Sequence, residues 1–172
     1  VGRSLEGLVN DSGRIVLQRE FRRLSGHEST GTILIGTKKN YGYCNGAGKM
    51  LWPLVLTYPH GDRWYNYNAE LTGRLGKGPA YLNGKYGMVS VYGDTLLPFI
   101  YDNIDSFEDY PSKRRTGNLW VIEKDGLKGI YDDATGWKIP VSCTMIENLE
   151  TFFADGDSAQ VGLMVYSMNN LW

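Results

Sequence analysis

One segment of the chain has the pattern of a complete hairpin: Lys85-Tyr86-Gly87-Met88-Val89-Ser90-Val91-Tyr92-Gly93-Asp94-Thr95-Leu96-Leu97-Pro98. Its first seven residues include β-branched and aromatic side chains in a half-alternating pattern, which predicts a short strand. The middle of the segment predicts a tight turn, because Gly93 can adopt the left-handed backbone that such turns need. A second strand follows, and we expect Pro98 to end its ladder because proline has no N–H to donate.

The same order of residues recurs along the chain, counted from one glycine per copy that we call the anchor glycine. A second glycine follows each of the first four anchors after six or seven residues, and a proline follows three of them after eleven. A fifth copy is truncated. The anchors are Gly7, Gly42, Gly87, Gly129 and Gly162; the second glycines are Gly13, Gly48, Gly93 and Gly136; the prolines are Pro53, Pro98 and Pro140, with Gln18 in that place in the first copy. This recurrence predicts one repeat domain over residues 1–172, with units of about 5–30, 31–78, 79–116 and 117–157 and a part-unit at 158–172.

The repeats predict an all-β fold in which each unit has about three short antiparallel strands. No segment has a convincing amphipathic helix pattern, so we expect no helix. A single hairpin of this length is at best marginally stable in water. Stacked copies bury one another's apolar faces, so stability becomes a sum of unit and interface contributions. We therefore expect an elongated or curved array of hairpins, with propeller-like closure by the terminal pieces as the alternative.

The recurring pattern resembles the WG-repeat family of bacterial proteins, whose unit combines a tryptophan-glycine pair, a turn with acidic residues and glycine, an apolar pair that ends in Ile-Pro, and then Tyr-Asp and an isoleucine. Leu97-Pro98 with Tyr101-Asp102-Asn103-Ile104 is the most similar copy, followed by Lys124–Ile130 with Ile139-Pro140. This chain has no tryptophan before any anchor glycine. The resemblance implies a stacked β-repeat fold and an interaction module, and it supplies no catalytic residues.

Charge and hydropathy exclude several classes of protein. The chain has 18 Lys and Arg against 19 Asp and Glu, a net charge of -1. A nucleic-acid-binding domain is usually basic, so we expect no nucleic-acid partner. No apolar run is as long as the roughly 18 residues that would suggest a membrane-spanning helix. Residues 1–10 lack the apolar region of a secretory signal, so a cytoplasmic location is favoured, although the compartment stays open.

Few side chains suggest catalysis or metal binding. His27 and His60 are the only histidines, and both are expected to be solvated loop residues because no nucleophile motif accompanies them. Cys44 and Cys143 have no metal-ligand spacing and are expected to be buried free thiols, with a disulfide as the alternative. The sequence therefore predicts no metal, no cofactor and no enzymatic activity.

Two regions are candidates for binding. Trp64, Tyr65 and Tyr67 interleave with polar residues, including Arg63, in the irregular second unit. They are either core rings or an exposed platform that contacts a protein or stacks on sugars. The second region contains Tyr110, Arg114 and Arg115, in what we expect to be a loop between Pro111 and Gly117.

The sequence favours a non-catalytic protein-interaction module, of which a small bacterial inhibitor or immunity protein would be one form. The alternative is a carbohydrate-binding module that uses exposed Tyr and Trp. Charge is also asymmetric: residues 1–50 hold eight Lys and Arg against four Asp and Glu, whereas residues 139–172 hold four acids and no Lys or Arg. This asymmetry suggests head-to-tail contacts between molecules or with flanking repeats.

Overall fold

A computed structural model describes residues 4–59, 67–109, 114–149 and 162–166. The chain divides into two compact units, Val1–Ile100 and Tyr101–Trp172. The fold is all-β with antiparallel sheets, as the sequence predicts, and has one short helix. The helix, α1 (Tyr67–Leu75), contradicts the expectation that none would form. The strands are β1 (Glu6–Val9), β2 (Ile15–Phe21), β3 (Arg23–His27), β4 (Thr32–Gly36), β5 (Asn40–Asn45), β6 (Met50–Thr57), β7 (Lys77–Leu82), β8 (Lys85–Ser90), β9 (Thr95–Tyr101), β10 (Asn103–Asp109), β11 (Arg114–Lys124), β12 (Leu127–Asp132), β13 (Gly136–Cys143), β14 (Met145–Leu149) and β15 (Gly162–Tyr166).

The described strands form four sheets, in each of which neighbours follow chain order. A seven-stranded sheet runs from β3 to β9, and a four-stranded sheet runs from β10 to β13. Two further pairs, β1–β2 and β14–β15, are two-stranded sheets. The strand pairings whose register the structure defines are antiparallel, which is consistent with short hairpin connections.

Three hairpins share one register when residues are counted from the anchor glycine. The residue before the glycine pairs with the residue fourteen positions after the glycine. The two residues that follow the glycine pair with those ten and eight positions after it. The pairs are Glu6↔Phe21, Leu8↔Leu17 and Val9↔Ile15 in β1–β2; Tyr41↔Leu56, Tyr43↔Trp52 and Cys44↔Met50 in β5–β6; and Lys128↔Cys143, Ile130↔Ile139 and Tyr131↔Trp137 in β12–β13. The three hairpins therefore have the same two shifts of register at the same places.

The first four anchor glycines lie where the opposite strand comes too close for a side chain. A Cβ at Gly42 would lie 2.5 Å from the carbonyl oxygen of Trp52, ten residues on. The residue ten positions on presents its carbonyl to the other three glycines as well, at 2.8 Å for Gly7, 2.9 Å for Gly87 and 2.7 Å for Gly129. The close approach explains why glycine occupies this position.

The recurring prolines do not end their strands, which differs from the expectation for Pro98. Pro53, Pro98 and Pro140 lie inside β6, β9 and β13 and do not end these strands. In β6 and β13 the proline falls in the register shift opposite the anchor glycine, between the residues ten and fourteen positions on. A bulged residue does not need its N–H for the ladder, so proline is tolerated there.

The hairpin turns share a side-chain acceptor three positions after the anchor glycine. Asn45 Oδ1 accepts hydrogen bonds from the N–H groups of Ala47, at 3.1 Å, and Lys49, at 2.9 Å. Asn10, Ser90 and Asp132 occupy the same position, and each accepts at least one N–H of its own turn. Asn, Ser and Asp commonly stabilise turns in this way.

The second strands β2 and β9 each lead through a one-residue bend into the first strand of another sheet. Arg22 follows β2 and donates its N–H to Gly36 O at 2.8 Å, and Asp102 follows β9 and donates to Glu123 O at 2.8 Å. Both bend residues lie fifteen positions after an anchor glycine. The residues on either side of the Asp102 bend, Tyr101 and Ile104, are 7% and 1% exposed.

The core of the first unit lies between the seven-stranded sheet and α1, and includes Leu34, Tyr41, Tyr43 and Leu56. Consecutive hairpins in this unit also contact one another by equivalent residues. A Cβ at Gly48 would lie 3.1 Å from Val16 O, and a Cβ at Gly93 would lie 3.1 Å from Leu51 O. Val16 and Leu51 are each nine positions after their anchor glycine, so the same contact is made twice.

Gly162 does not share the geometry of the other four anchors. It begins β15, which pairs with β14 from Met145↔Tyr166 to Leu149↔Gly162. Strands β3 and β10 each follow an anchor hairpin, and each pairs with the strand that comes just before the next anchor hairpin: β3 pairs with β4 and β10 pairs with β11. We call β4, β7 and β11 the preceding strands, and β15 occupies the same position as β4 and β11.

Candidate functional site

Helix α1 follows the β5–β6 hairpin in the chain, at the position where the strands β3, β10 and β14 follow the other anchor hairpins. Its last turn is closed by Gly76, which has a φ of 83° and donates its N–H to Thr72 O at 2.8 Å. Two hydroxyl groups from the turn after β3 bond to the last free carbonyls of the helix: Ser29 Oγ donates to Arg74 O at 2.6 Å, and Thr30 Oγ1 donates to Gly73 O at 2.8 Å. The C-terminal end of α1 is therefore capped by the turn between β3 and β4.

A charged cluster joins α1 to β3. The Glu70 carboxylate forms an ion pair with Arg23 and accepts a hydrogen bond from Ser25 Oγ at 3.1 Å. His27 Nε2 lies 3.5 Å from Glu70 Oε2, and the histidine side chain is only 7% exposed. The expectation that His27 is a solvated loop residue is therefore wrong: it lies in β3, and the helix covers it. His60 lies outside the described residues.

Burial lowers the pKa of His27. The negative charge of Glu70 acts in the opposite direction, and the positive charges of Arg23 and Arg74 lower the pKa further. Ser25 and His27 both face the same carboxylate oxygen, Glu70 Oε2. A hydrolytic triad instead needs the histidine between the hydroxyl and the carboxylate. The cluster is thus arranged to attach the helix to the sheet.

The aromatic binding region predicted from sequence falls mostly outside the described residues. Arg63, Trp64 and Tyr65 lie there, and Tyr67 is the first residue of α1. Tyr110 also lies outside the described residues. Arg114 and Arg115 are in β11, where their backbone pairs with Asp109 and Glu108. The expectation of a loop around these arginines is therefore wrong for Arg114, Arg115 and Gly117, because β11 extends through all three.

Both cysteines are buried free thiols. Cys44 is 0% exposed and Cys143 is 5% exposed. Burial raises the pKa of Cys44 and so disfavours the reactive thiolate. Within residues 4–59, 67–109, 114–149 and 162–166, no three His, Cys, Asp or Glu side chains converge as a metal site requires.

The hairpin β1–β2 presents an apolar surface that sequence reasoning did not single out. Leu5, Val9 and Ile15 are 42%, 60% and 56% exposed. An open groove of about 510 Å³ runs along the hairpin and is lined by residues 4–9, 15 and 17–19. Arg19 Nε donates to Leu5 O at 2.9 Å, and Leu24 N donates to Glu6 Oε2 at 2.6 Å, so polar contacts hold the start of β1 in place. We call this surface the β1 edge.

The β1 edge differs from the equivalent part of other hairpins by one missing strand. In the seven- and four-stranded sheets, β5, β8 and β12 each pair with a preceding strand, whereas β1 pairs with β2 alone among the described strands. Val9 corresponds to Cys44 and Val89, both 0% exposed, because all three lie two positions after an anchor glycine. The residue at this position is thus buried in two hairpins, half-buried as Tyr131 in β12, and exposed in the first.

A second exposed feature is aromatic and belongs to the hairpin β12–β13. Trp137 is 41% exposed, and its ring centroid lies 5.3 Å from that of Tyr131 and 6.3 Å from that of Tyr101. Lys138 forms an ion pair with Asp132 at 3.8 Å beside these rings. An exposed tryptophan supported by two other rings can stack on a planar or apolar ligand face.

Comparisons of the chain with protein-family models, with curated proteins and with solved structures found no match. In the part of the chain that the structure describes, no helix has the length and apolar character needed to cross a membrane.

Proposed function

We propose that the chain is a WG-like β-repeat array that acts as a non-catalytic protein-interaction module, and that the β1 edge is its binding surface. Support for the repeats comes from the common register of three hairpins and from the common surroundings of four anchor glycines. Small inhibitor or immunity-type proteins of bacteria belong to this functional class.

One observation carries the binding surface: Val9 is 60% exposed, although its equivalents Cys44 and Val89, on strands that pair with a preceding strand, are fully buried. An edge strand with an uncovered apolar face accepts an added strand, in which main-chain hydrogen bonds supply affinity and side-chain pockets supply specificity. The partner is therefore a protein that offers an extended segment.

The test compares two valines of similar chemistry on different strands. The wild-type chain, Val9→Lys and Val55→Lys, whose valine is 41% exposed on β6, would be used to capture proteins from an extract of the source organism. We expect a partner that is retained by wild type and by Val55→Lys and lost with Val9→Lys. The purified partner would then be titrated against the three chains by calorimetry. Equal binding to all three would remove the β1 edge from the proposal.

Carbohydrate binding is a second candidate function, and the exposed ring of Trp137 favours it. Trp137→Ala would abolish binding on a glycan array, whereas Tyr92→Ala, which removes another exposed ring (58%), would retain it. A wild-type chain that binds no glycan would exclude this function.

A further inference from the structure

The strands β1 and β15 are the two edges left when one pairing of the repeat is missing. Among the described strands, β1 is an anchor-hairpin strand without a preceding strand, and β15 is a preceding strand without an anchor hairpin. Elsewhere these two types of strand always pair, as β4 pairs with β5 and β11 with β12. The two edges therefore have complementary positions in the same pattern.

The register of that missing pairing follows from the pairings that exist. Arg23, Asn103 and Met145 each lie sixteen positions after an anchor glycine, and they pair with Gly36, Glu123 and Tyr166. Gly36 and Glu123 are each six positions before the next anchor glycine, so Tyr166 takes the same place. The residue one position earlier lies opposite the anchor glycine, as Ile35 does for Gly42 and Ile122 for Gly129.

We propose that β15 of a second copy of this chain binds the β1 edge antiparallel, with Val165 opposite Gly7 and Leu163 opposite Val9. This inference rests on the proposed function and names its partner. It would cover Val9 as Ile33, on a preceding strand, lies opposite Cys44. Because β1 of one copy meets β15 of another, the contact is heterologous and produces open chains or rings of molecules.

The charge distribution supports this choice of partner. Residues 1–50, which include β1, have four more basic than acidic residues, and residues 139–172, which include β15, have four acidic residues and no Lys or Arg. Opposite charges on the two ends favour encounter between copies, and this attraction is weakened by salt. We expect self-association that decreases as the ionic strength rises.

The main test is disulfide cross-linking between two full-length variants, each of which carries one added cysteine. Directly opposite residues in an antiparallel pair have Cβ atoms about 4.5–5.5 Å apart, close to the range that a disulfide needs. Val9→Cys mixed with Leu163→Cys under mild oxidation should give a linked pair of chains. Val9→Cys mixed with Met164→Cys, one residue out of register, should give at least about tenfold less product. The wild-type chain, with its buried Cys44 and Cys143, controls for background.

A second measurement follows association without any cross-link. Sedimentation over a range of concentrations should show that Val9→Lys weakens self-association about tenfold or more, since burial of a valine is worth about 1.5–3 kcal/mol and 1.4 kcal/mol is tenfold in affinity. Val55→Lys should associate as wild type does.

Three results would overturn the inference: a chain that stays monomeric at every concentration and does not cross-link, equal cross-linking with Met164→Cys, or a disulfide within one chain of the double variant Val9→Cys and Leu163→Cys. If the chain is monomeric but Val9→Lys loses a captured partner, the second copy is wrong and the proposed function stands. If Val9→Lys changes neither capture nor self-association, both are wrong.

Discussion

The imidazole of His27 fills the space that a side chain at Gly73 would occupy, so β3 and α1 meet at a glycine. His27 is held there by burial and by the cluster around Glu70. The glycine lies in the interior of a helix, where it is intrinsically unfavourable compared with alanine. Close packing of the histidine thus explains a glycine that the helix itself would not favour.

Replacing Gly73 by alanine should destabilise the protein despite the better helix propensity of alanine. Overpacking typically costs about 1–3 kcal/mol, whereas the gain in helix propensity is about 1 kcal/mol. The effect should change sign in a His27→Ala background, where the added methyl group no longer meets the ring. Urea unfolding of the two single variants and the double variant measures this. A Gly73→Ala change that is equally harmful in both backgrounds would contradict the packing explanation.

Acid should weaken the attachment of α1 through His27. Its pKa is lowered in the folded protein, so the unfolded chain binds the proton more readily. The stability that neutral His27 provides is complete above about pH 6.5 and is lost as the pH falls below that value, by at most about 1.4 kcal/mol per pH unit. His27→Gln, which cannot be protonated in this range, should have a flatter profile. Melting temperatures between pH 7.5 and pH 5 test this, and parallel profiles for the two chains would show that His27 is not the group responsible.

An anchor glycine should tolerate alanine much less well than a turn glycine of the same hairpin. Gly42→Ala would place a methyl group 2.5 Å from the carbonyl oxygen of Trp52, and backbone cannot move aside as a side-chain end can. The expected cost is about 1–3 kcal/mol or more. Gly46→Ala is the matched control, because nothing lies within 4 Å of its added carbon and its φ is not positive. Chemical denaturation of the two variants should separate them clearly, and similar midpoints would contradict the close approach.

The side chain three residues after the anchor glycine should need an oxygen that accepts hydrogen bonds, and not the NH2 group of asparagine. Asn45→Ala removes the oxygen that accepts from the N–H groups of Ala47 and Lys49, and should cost about 1 kcal/mol. Asn45→Asp keeps the acceptor, as Asp132 does in the β12–β13 hairpin, and should be close to wild type. Thermal unfolding at neutral pH checks both. Equal losses would mean that the Asn45 amide group, and not its oxygen, stabilises the turn.

The hairpins were accessible to sequence reasoning because their determinants are local. Gly42 and Trp52 are ten residues apart, and the spacing of glycine and apolar residue repeats in each copy. The turn acceptors, three positions after each of the first four anchor glycines, recur at one spacing that is also visible in the sequence: Asn10, Asn45, Ser90 and Asp132. The prediction that Pro98 ends its strand is wrong, because whether a strand tolerates a proline depends on its partner strand as well as on the proline.

The helix and the environment of His27 depend on residues far apart in sequence. Glu70 in the first turn, Arg74 in the last turn and Gly76 beyond it are helix signals, but nine residues that include an internal glycine form a weak pattern. His27 is buried by residues more than forty positions away, which no local pattern reveals. The exposure of Val9 is equally non-local, because no local pattern reveals that β1 has only β2 beside it among the described strands.

The connection between β6 and β7 contains a helix where the other anchor hairpins are followed by a strand. Only Thr57↔Tyr81 pairs these two strands, and α1 is inserted between them. The β5–β6 hairpin nevertheless keeps the register of hairpins that carry no insertion. A protein engineer who replaced α1 at this junction could therefore keep the β5–β6 hairpin, but would also have to replace the partners of the helix in the sheet, Arg23 and Tyr43.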